Sequence, residues 1–279
     1  MKNPLYLCLL ALFLSFAPGA LVAQEDNYHP IISETFTVSI GAMRSSNSFK
    51  AFANSPGDLG DDIDFDDTLA VSDSSTYING HLRWNFGKTK KWSLWGQYFS
   101  NNADGSATLT EDIEWDGLTF NEGTFVQSGV NLAVTRVFVG RSYIKNKQND
   151  FGLGFGLHNL DMSFHIGGEV IINDETTGYQ EAAVGASQVL PNIGAWYYFS
   201  PAKRWLLHTR VDWISANIGD YDGGLWNISA GVNYQAFKHV GFSFYWQYFN
   251  LHLKVDKTDW VGGTKMTYNG PVLSITFGW

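Results

Sequence analysis

Three groups of residues have types and spacings that could do chemistry. The first is Asp58-Leu59-Gly60-Asp61-Asp62-Ile63-Asp64-Phe65-Asp66-Asp67, which sets six carboxylates within ten residues. A hard divalent cation wants six to eight oxygens, so such a run could hold calcium. The spacing does not follow the EF-hand loop, however, and Asp62, Asp64 and Asp66 alternate with Ile63 and Phe65. That alternation favours a solvated, amphipathic strand extension over a metal site. The second group is His81 and Arg83 with His208, Arg210 and Asp212, all at two-residue spacing within alternating segments. It could form a proton-linked path, a polar-solute path or a His–Asp catalytic pair. Side chains two apart on a strand cannot all converge on one substrate atom, and buried charges must pair. A salt-bridged plug is therefore the favoured reading. The third group is His158, Asp161 and His165, which could belong to a general-base site only if one imidazole came within about 3 Å of a substrate proton. Gly152-x-Gly154-x-Gly156 lacks the third-glycine spacing and the following helix of a dinucleotide loop, so it reads as small residues beside a bend or a bulky neighbour. His239, in a basic turn, reads as solvated.

The elements that carry these residues are strands. Period-two alternation places one side-chain set on each face. It appears in ten segments, at about residues 35–43, 76–86, 92–102, 126–143, 151–166, 189–199, 205–216, 226–235, 241–254 and 273–279. The clearest is the eighth, where Trp226, Ile228, Ala230, Val232 and Tyr234 oppose Asn227, Ser229, Gly231, Asn233 and Gln235. The third is mixed, because Trp95 and Phe99 share the face of its polar residues. The fourth puts Val130, Leu132 and Val134 on the outer face, with a bulge expected near Arg136.

Connections alternate between short and long, and charge follows them. The four short ones carry Lys88, Lys90, Lys91, Lys145, Lys147, Lys203, Arg204 and Lys238, whereas the five long ones hold 21 of the 27 acids. Aromatic and charged residues each make up 16% of the chain, too little charge for an ordinary soluble domain of this size. Both features fit a single closed antiparallel transmembrane β-barrel of about ten strands, with eight and twelve as alternatives, short periplasmic turns and long acidic extracellular loops. Closure is a physical requirement, since an open sheet edge in hydrocarbon strands unpaired amides.

The two ends agree. Lys2, the apolar run from Leu5 to Phe16 and the small residues up to Ala23 read as a signal peptide over residues 1–23. A short periplasmic segment would follow at 24–33 and the barrel at 34–279. The lone Cys8 falls in the leader, so the mature chain has no thiol. Loss of Lys2 takes the formal charge from −9 to −10, against a nucleic-acid partner. In the last stretch Leu273, Ile275, Phe277 and Trp279 alternate with Ser274, Thr276 and Gly278. It resembles the terminal segment of bacterial outer-membrane β-barrel proteins, in which the closing aromatic residue is read by the insertion machinery.

That resemblance implies a monomeric, multi-pass barrel of the Gram-negative outer membrane with both termini periplasmic. Its implied partners are membrane lipid, lipopolysaccharide and the insertion machinery, and divalent cations at the acidic loops are the metal alternative. It carries no functional residue across. Omptin-like proteases are ten-stranded barrels of similar size with acid and Asp–His pairs at the outer rim, but no local motif here resembles theirs. Lipid-modifying barrels need a Ser–His pair facing lipid. No residue is assigned as catalytic, cofactor-binding or metal-ligating, no cofactor is expected, and an enzyme is disfavoured. The expected role is structural, surface-interacting or narrow-channel, with a plugged lumen. An outer-membrane hydrolase and a small-solute porin are the alternatives.

Overall fold

The computed structural model describes residues 29–54, 62–172, 175–218, 221–256 and 261–279. The signal-peptide expectation and Asp58 to Asp61 lie outside them. One turn of helix, α1 (Pro30–Ser33), precedes the strands β1 (Phe36–Asn54), β2 (Ile63–Asp64), β3 (Ser74–Phe86) and β4 (Trp92–Thr108). A small hairpin, β5 (Ile113–Trp115) and β6 (Leu118–Phe120), comes next. The chain continues with β7 (Phe125–Lys145), β8 (Asn149–Ile172), β9 (Glu175–Ala202), β10 (Trp205–Ile218), β11 (Tyr221–Gln235), β12 (Val240–Asp256) and β13 (Val261–Gly278).

Ten of these strands form one closed antiparallel barrel. Each pairs with its neighbour in the order β1-β3-β4-β7-β8-β9-β10-β11-β12-β13, and β13 returns to β1 from Thr37↔Gly278 to Asn54↔Val261. The backbone of Trp279 completes the seam, accepting from the amides of Thr35 and Phe36 and donating to the Phe36 carbonyl. β2 adds to the upper edge of β1, and β5–β6 stands apart as its own two-stranded sheet.

All ten expected segments are strands, but half of them are much longer than the alternation suggested. β8 and β9 run 24 and 28 residues, well beyond the 9–11 that cross a bilayer. The surplus lies at the end away from the short turns, and there the polarity of the two faces inverts. On β1, Phe36, Val38, Ile40 and Ala42 face outward over Thr37, Ser39 and Gly41. Two residues later Arg44, Ser46 and Ser48 face outward while Met43, Phe49 and Ala51 are buried in the lumen. The same exchange occurs at Tyr248/Phe249 on β12 and at Val272/Leu273 on β13.

The exchange corrects the phase expected for the fourth segment. Val130, Leu132 and Val134 of β7 are buried in the lumen rather than outward, and Asn131, Ala133 and Thr135 lie on the outer face. No bulge interrupts β7 at Arg136, which pairs in register with His158. The register shift lies at Ser142/Ile144, beside the turn, where it leaves Tyr143 and Ile144 both outward. The physical reason is the change of solvent along the strand. Within the belt the outside meets lipid and the inside is polar, whereas beyond it the outside meets water and the inside becomes an apolar core.

Aromatic residues mark both edges of the belt, as interfacial side chains of a bilayer-spanning barrel do. At the short-turn end Phe36 stacks on Trp84 at 5.9 Å, and Trp205 packs on Tyr234 at 4.8 Å. At the other edge Trp213 and Trp226 meet at 6.1 Å, and Trp246 is exposed on β12. Between them the exposed apolar residues, among them Ile40, Leu82, Phe155, Phe244 and Ile275, form a continuous belt that a water-soluble surface of this extent would not sustain.

Candidate functional site: a lumen filled in layers

Among the described residues the chemically versatile side chains converge in the lumen, which is stacked in three levels. The lowest is ionic. Arg83 of β3 donates to Asp150 at 2.6 Å, at the start of β8. Asp150 also accepts from the Ser142 hydroxyl at 2.6 Å and from the Trp196 indole at 3.2 Å. Across the barrel Asp212 of β10 accepts from Arg136 of β7 at 2.8 Å. It also accepts from two nitrogens of Arg210, at 3.0 and 3.1 Å, and from the Asn192 amide at 3.3 Å. Aromatic faces cover the guanidiniums. Arg210 lies 4.5 Å from the Trp95 ring and 4.3 Å from Phe138, and Arg83 lies 4.6 Å from Trp95 and 5.0 Å from Tyr198. Cation–π contacts strengthen when water is excluded, which suits these nearly dry positions.

Glycines make this layer possible. A Cβ on Gly152 would overlap the Trp196 ring, one on Gly154 the neighbouring strand and Phe138, and one on Gly194 the Asp212 carboxylate. The glycine run therefore admits a bulky neighbour. The signal for that role was the glycine run itself, and only the register of β8 against β9 says which ring fills the space.

The N-terminal turn stoppers this layer from below. Ile31 and Ile32 are buried against the ionic cluster, and Arg83 reaches the Ile31 carbonyl at 3.4 Å. The Nδ1 of His29 accepts from the Ile31 amide at 3.3 Å, so it caps the turn as a neutral imidazole. Burial holds His29 down to about 4, from 6.5. At the same end Lys145 is pushed down to about 8, by burial first and by neighbouring Arg83 second.

The middle level is polar and not fully packed. A cavity of about 110 Å³ lies among His81, Gln97, His208, Arg210, Tyr245 and Gln247. The Tyr245 hydroxyl lies 3.3 Å from His81 Nε2 and accepts from the Asn79 amide at 3.3 Å. The top level is apolar. Phe99 packs with Tyr77, Phe249 and Tyr268 at 5.4 to 6.5 Å, and Tyr268 continues the stack to Phe49. Above them the folded-in loops add Phe65 and Trp115, fully buried and edge-on at 5.5 Å, with Phe164 beside both.

The other sequence candidates resolve differently. Of the acidic run, Asp64 pairs with Lys50 and accepts from the amides of Asp66 and Asp67, while Asp66 accepts from the Phe49 amide at 3.1 Å. β2 spans only Ile63–Asp64, and the chain then turns so that Phe65 enters the lumen. These carboxylates thus fasten the first loop to the barrel. In the second loop the β5–β6 hairpin is turned by Asp116 and Gly117 at φ +48° and +77°. A two-residue Asp-Gly turn is the one such strands favour. The hairpin lies over the barrel, with Ile113, Trp115 and Phe120 buried and the Asp116 amide donating to the Ala53 carbonyl at 2.9 Å.

His158, Asp161 and His165 do not converge. His158 is buried in the lumen at the level of Arg136, whereas Asp161 and His165 lie on the outer face of β8. Their separation follows from strand parity: the three- and seven-residue spacings from His158 cross it, whereas Asp161 and His165, four apart, share a face. His239 is not simply solvated, because its Nδ1 lies 2.7 Å from the Gly278 carbonyl and ties the last turn to the closing strand. Among the described residues, no three His, Cys, Asp or Glu form a candidate metal site. Sequence reasoning named Arg83, Arg210 and Asp212 but missed Asp150, Arg136 and Trp196. Asp150 had one available signal: it is the single acid placed beside the basic short turns.

No family model matches the chain, and no curated protein does. Solved structures do. The outer membrane protease OmpT of Escherichia coli superposes with a TM-score of 0.53 at 11% identity, over 94% of this chain and 100% of that one. The toluene transporter TodX of P. putida matches at 0.35 and 7% identity, over 91% and 93%. Ail, the attachment invasion locus protein of Yersinia pestis, matches at 0.32 and 11%, over 86% and 99%. The chain has the fold of the outer-membrane β-barrel proteins. At these identities the likeness is one of architecture alone, and it agrees with the ten-strand closure and the lipid-facing belt of this barrel.

Proposed function

We propose that this outer-membrane barrel is sealed and acts through its outward-facing end, as a structural or surface-interaction protein, rather than as a conduit. Both termini and the short turns lie in the periplasm, and the long strands with their acidic loops project from the cell. The chain folds as a monomer in lipid and lipopolysaccharide and is delivered through its closing strand. The observation that carries the reading is the layered filling of the lumen. A solute would have to break Arg83–Asp150 and Arg136–Asp212–Arg210, displace α1 and then part the stack of Tyr77, Phe99, Phe249 and Tyr268. Breaking one buried ion pair alone costs about 3–5 kcal/mol.

Planar-bilayer recording of the refolded protein tests this. The expected wild-type trace has no steady open level, and Asp212→Ala shows transient openings as the ionic layer loosens. A large, stable conductance in wild type would defeat the proposal and return the small-solute porin.

A further inference from the structure

The middle cavity has a charge imbalance that its own walls do not relieve. Three guanidiniums line it, those of Arg83, Arg136 and Arg210, with only one carboxylate, Asp212. The second acid of the ionic layer, Asp150, stands behind Arg83 and away from the cavity. Asp212 already takes four donor contacts, from Arg136, Arg210 and Asn192, three of them on one oxygen. Arg210 is 9% exposed, and its Nη1 has no partner. A buried charged donor left unbonded is costly, and ion pairing or a bound group normally satisfies it. The neighbouring walls supply further polar groups, from His81, His208, the Tyr245 hydroxyl and the amides of Gln97 and Gln247.

We propose that the cavity is an anion site, filled by a small monovalent inorganic anion of halide size that Arg210 Nη1 binds directly. Size and charge select the class. A cavity of about 110 Å³ has room for one such ion with two or three waters. It has no room for a sugar, a nucleotide or a fatty acyl chain. One negative charge also offsets the excess left when Asp150 answers Arg83 and Asp212 alone answers both Arg136 and Arg210. The anion would then be an internal component of the ionic layer, holding Arg210 against Trp95 and Phe138.

Bromide is the probe, because its anomalous scattering identifies it. Crystals of the refolded full barrel soaked in sodium bromide are expected to show an anomalous peak inside the barrel, within hydrogen-bonding reach of Arg210 Nη1. In parallel, the thermal midpoint is expected to rise by roughly 5 °C across a hundredfold bromide titration, with sodium gluconate, too bulky for the cavity, holding ionic strength constant. Arg210→Met should lose both effects. If that variant does not fold, the wild-type peak and titration decide alone. A cavity without an anomalous peak, peaks confined to surface lysines, or equal midpoints in bromide and gluconate would each overturn the proposal.

Discussion

Two side chains hold the sealed end of the barrel in place. Asp212 is fully buried and answers both Arg136 and Arg210. Asp212→Asn keeps the shape but leaves two guanidiniums facing each other, and removing one partner of a buried pair costs about 3–5 kcal/mol. The urea midpoint, followed by the shift between folded and unfolded mobility on unheated gels, should fall accordingly. An unchanged midpoint would mean that the aromatic faces alone carry these cations. His29 gives the same end a pH dependence. Its folded value of about 4 lies below the ordinary 6.5, so the unfolded chain binds its proton first as pH falls. Stability from this group is therefore fully present above pH 6.5 and is lost between about 6.5 and 4, by on the order of 3 kcal/mol in all. The charged ring could no longer accept from the Ile31 amide. His29→Gln, which can still accept there, should flatten the stability profile across that window.

At the scale of elements, the β5–β6 hairpin is a lid built on the barrel top and not a strand of the wall. Trp115 is buried between Phe65 and Phe164. Trp115→Ala should cost about 3–5 kcal/mol of local stability. Because the ten-strand ladder does not include the hairpin, the loss should appear as rapid protease nicking between residues 108 and 125 with the gel mobility of the barrel unchanged. A loss of barrel mobility would show instead that the lid is integral to the fold. The strands themselves were legible where a single solvent acts on each face: Trp226 to Gln235 alternates cleanly because it lies almost wholly inside the belt. Legibility failed on β7 and in the upper parts of β8 and β9, where the same parity serves lipid below and water above. Alternation there continues with its polarity reversed, so it looks like a slip of register or a loop. The lumen cations were legible as inward residues, but their partners were not. Arg83 and Asp150 are 67 positions apart, and Arg136 and Asp212 are 76 apart. Only barrel closure makes them neighbours.

For the whole molecule, the decisive quantity is orientation, because a barrel sealed as proposed would act only through whichever end meets a partner. Three features argue for the long-strand end outside. The belt sits close to the short turns, the inverted-polarity walls need water around them, and the basic and acidic rims are opposed. The chain makes the test clean, since its only cysteine, Cys8, precedes the barrel strands and the barrel has none. Glu114→Cys places a thiol on the exposed face of the hairpin, and Lys88→Cys places one in the exposed first short turn. A membrane-impermeant maleimide added to intact cells should label Glu114→Cys and leave Lys88→Cys untouched. Lys88→Cys should then react once the outer membrane is permeabilised. The reverse pattern would put the acidic end in the periplasm and remove the surface role, while the fold, the ionic layer and the cavity beneath Tyr245 would stand as described. Equal labelling of both in intact cells would mean that the protein is not inserted in the membrane at all, and the exposed belt from Ile40 to Ile275 would then need another cover.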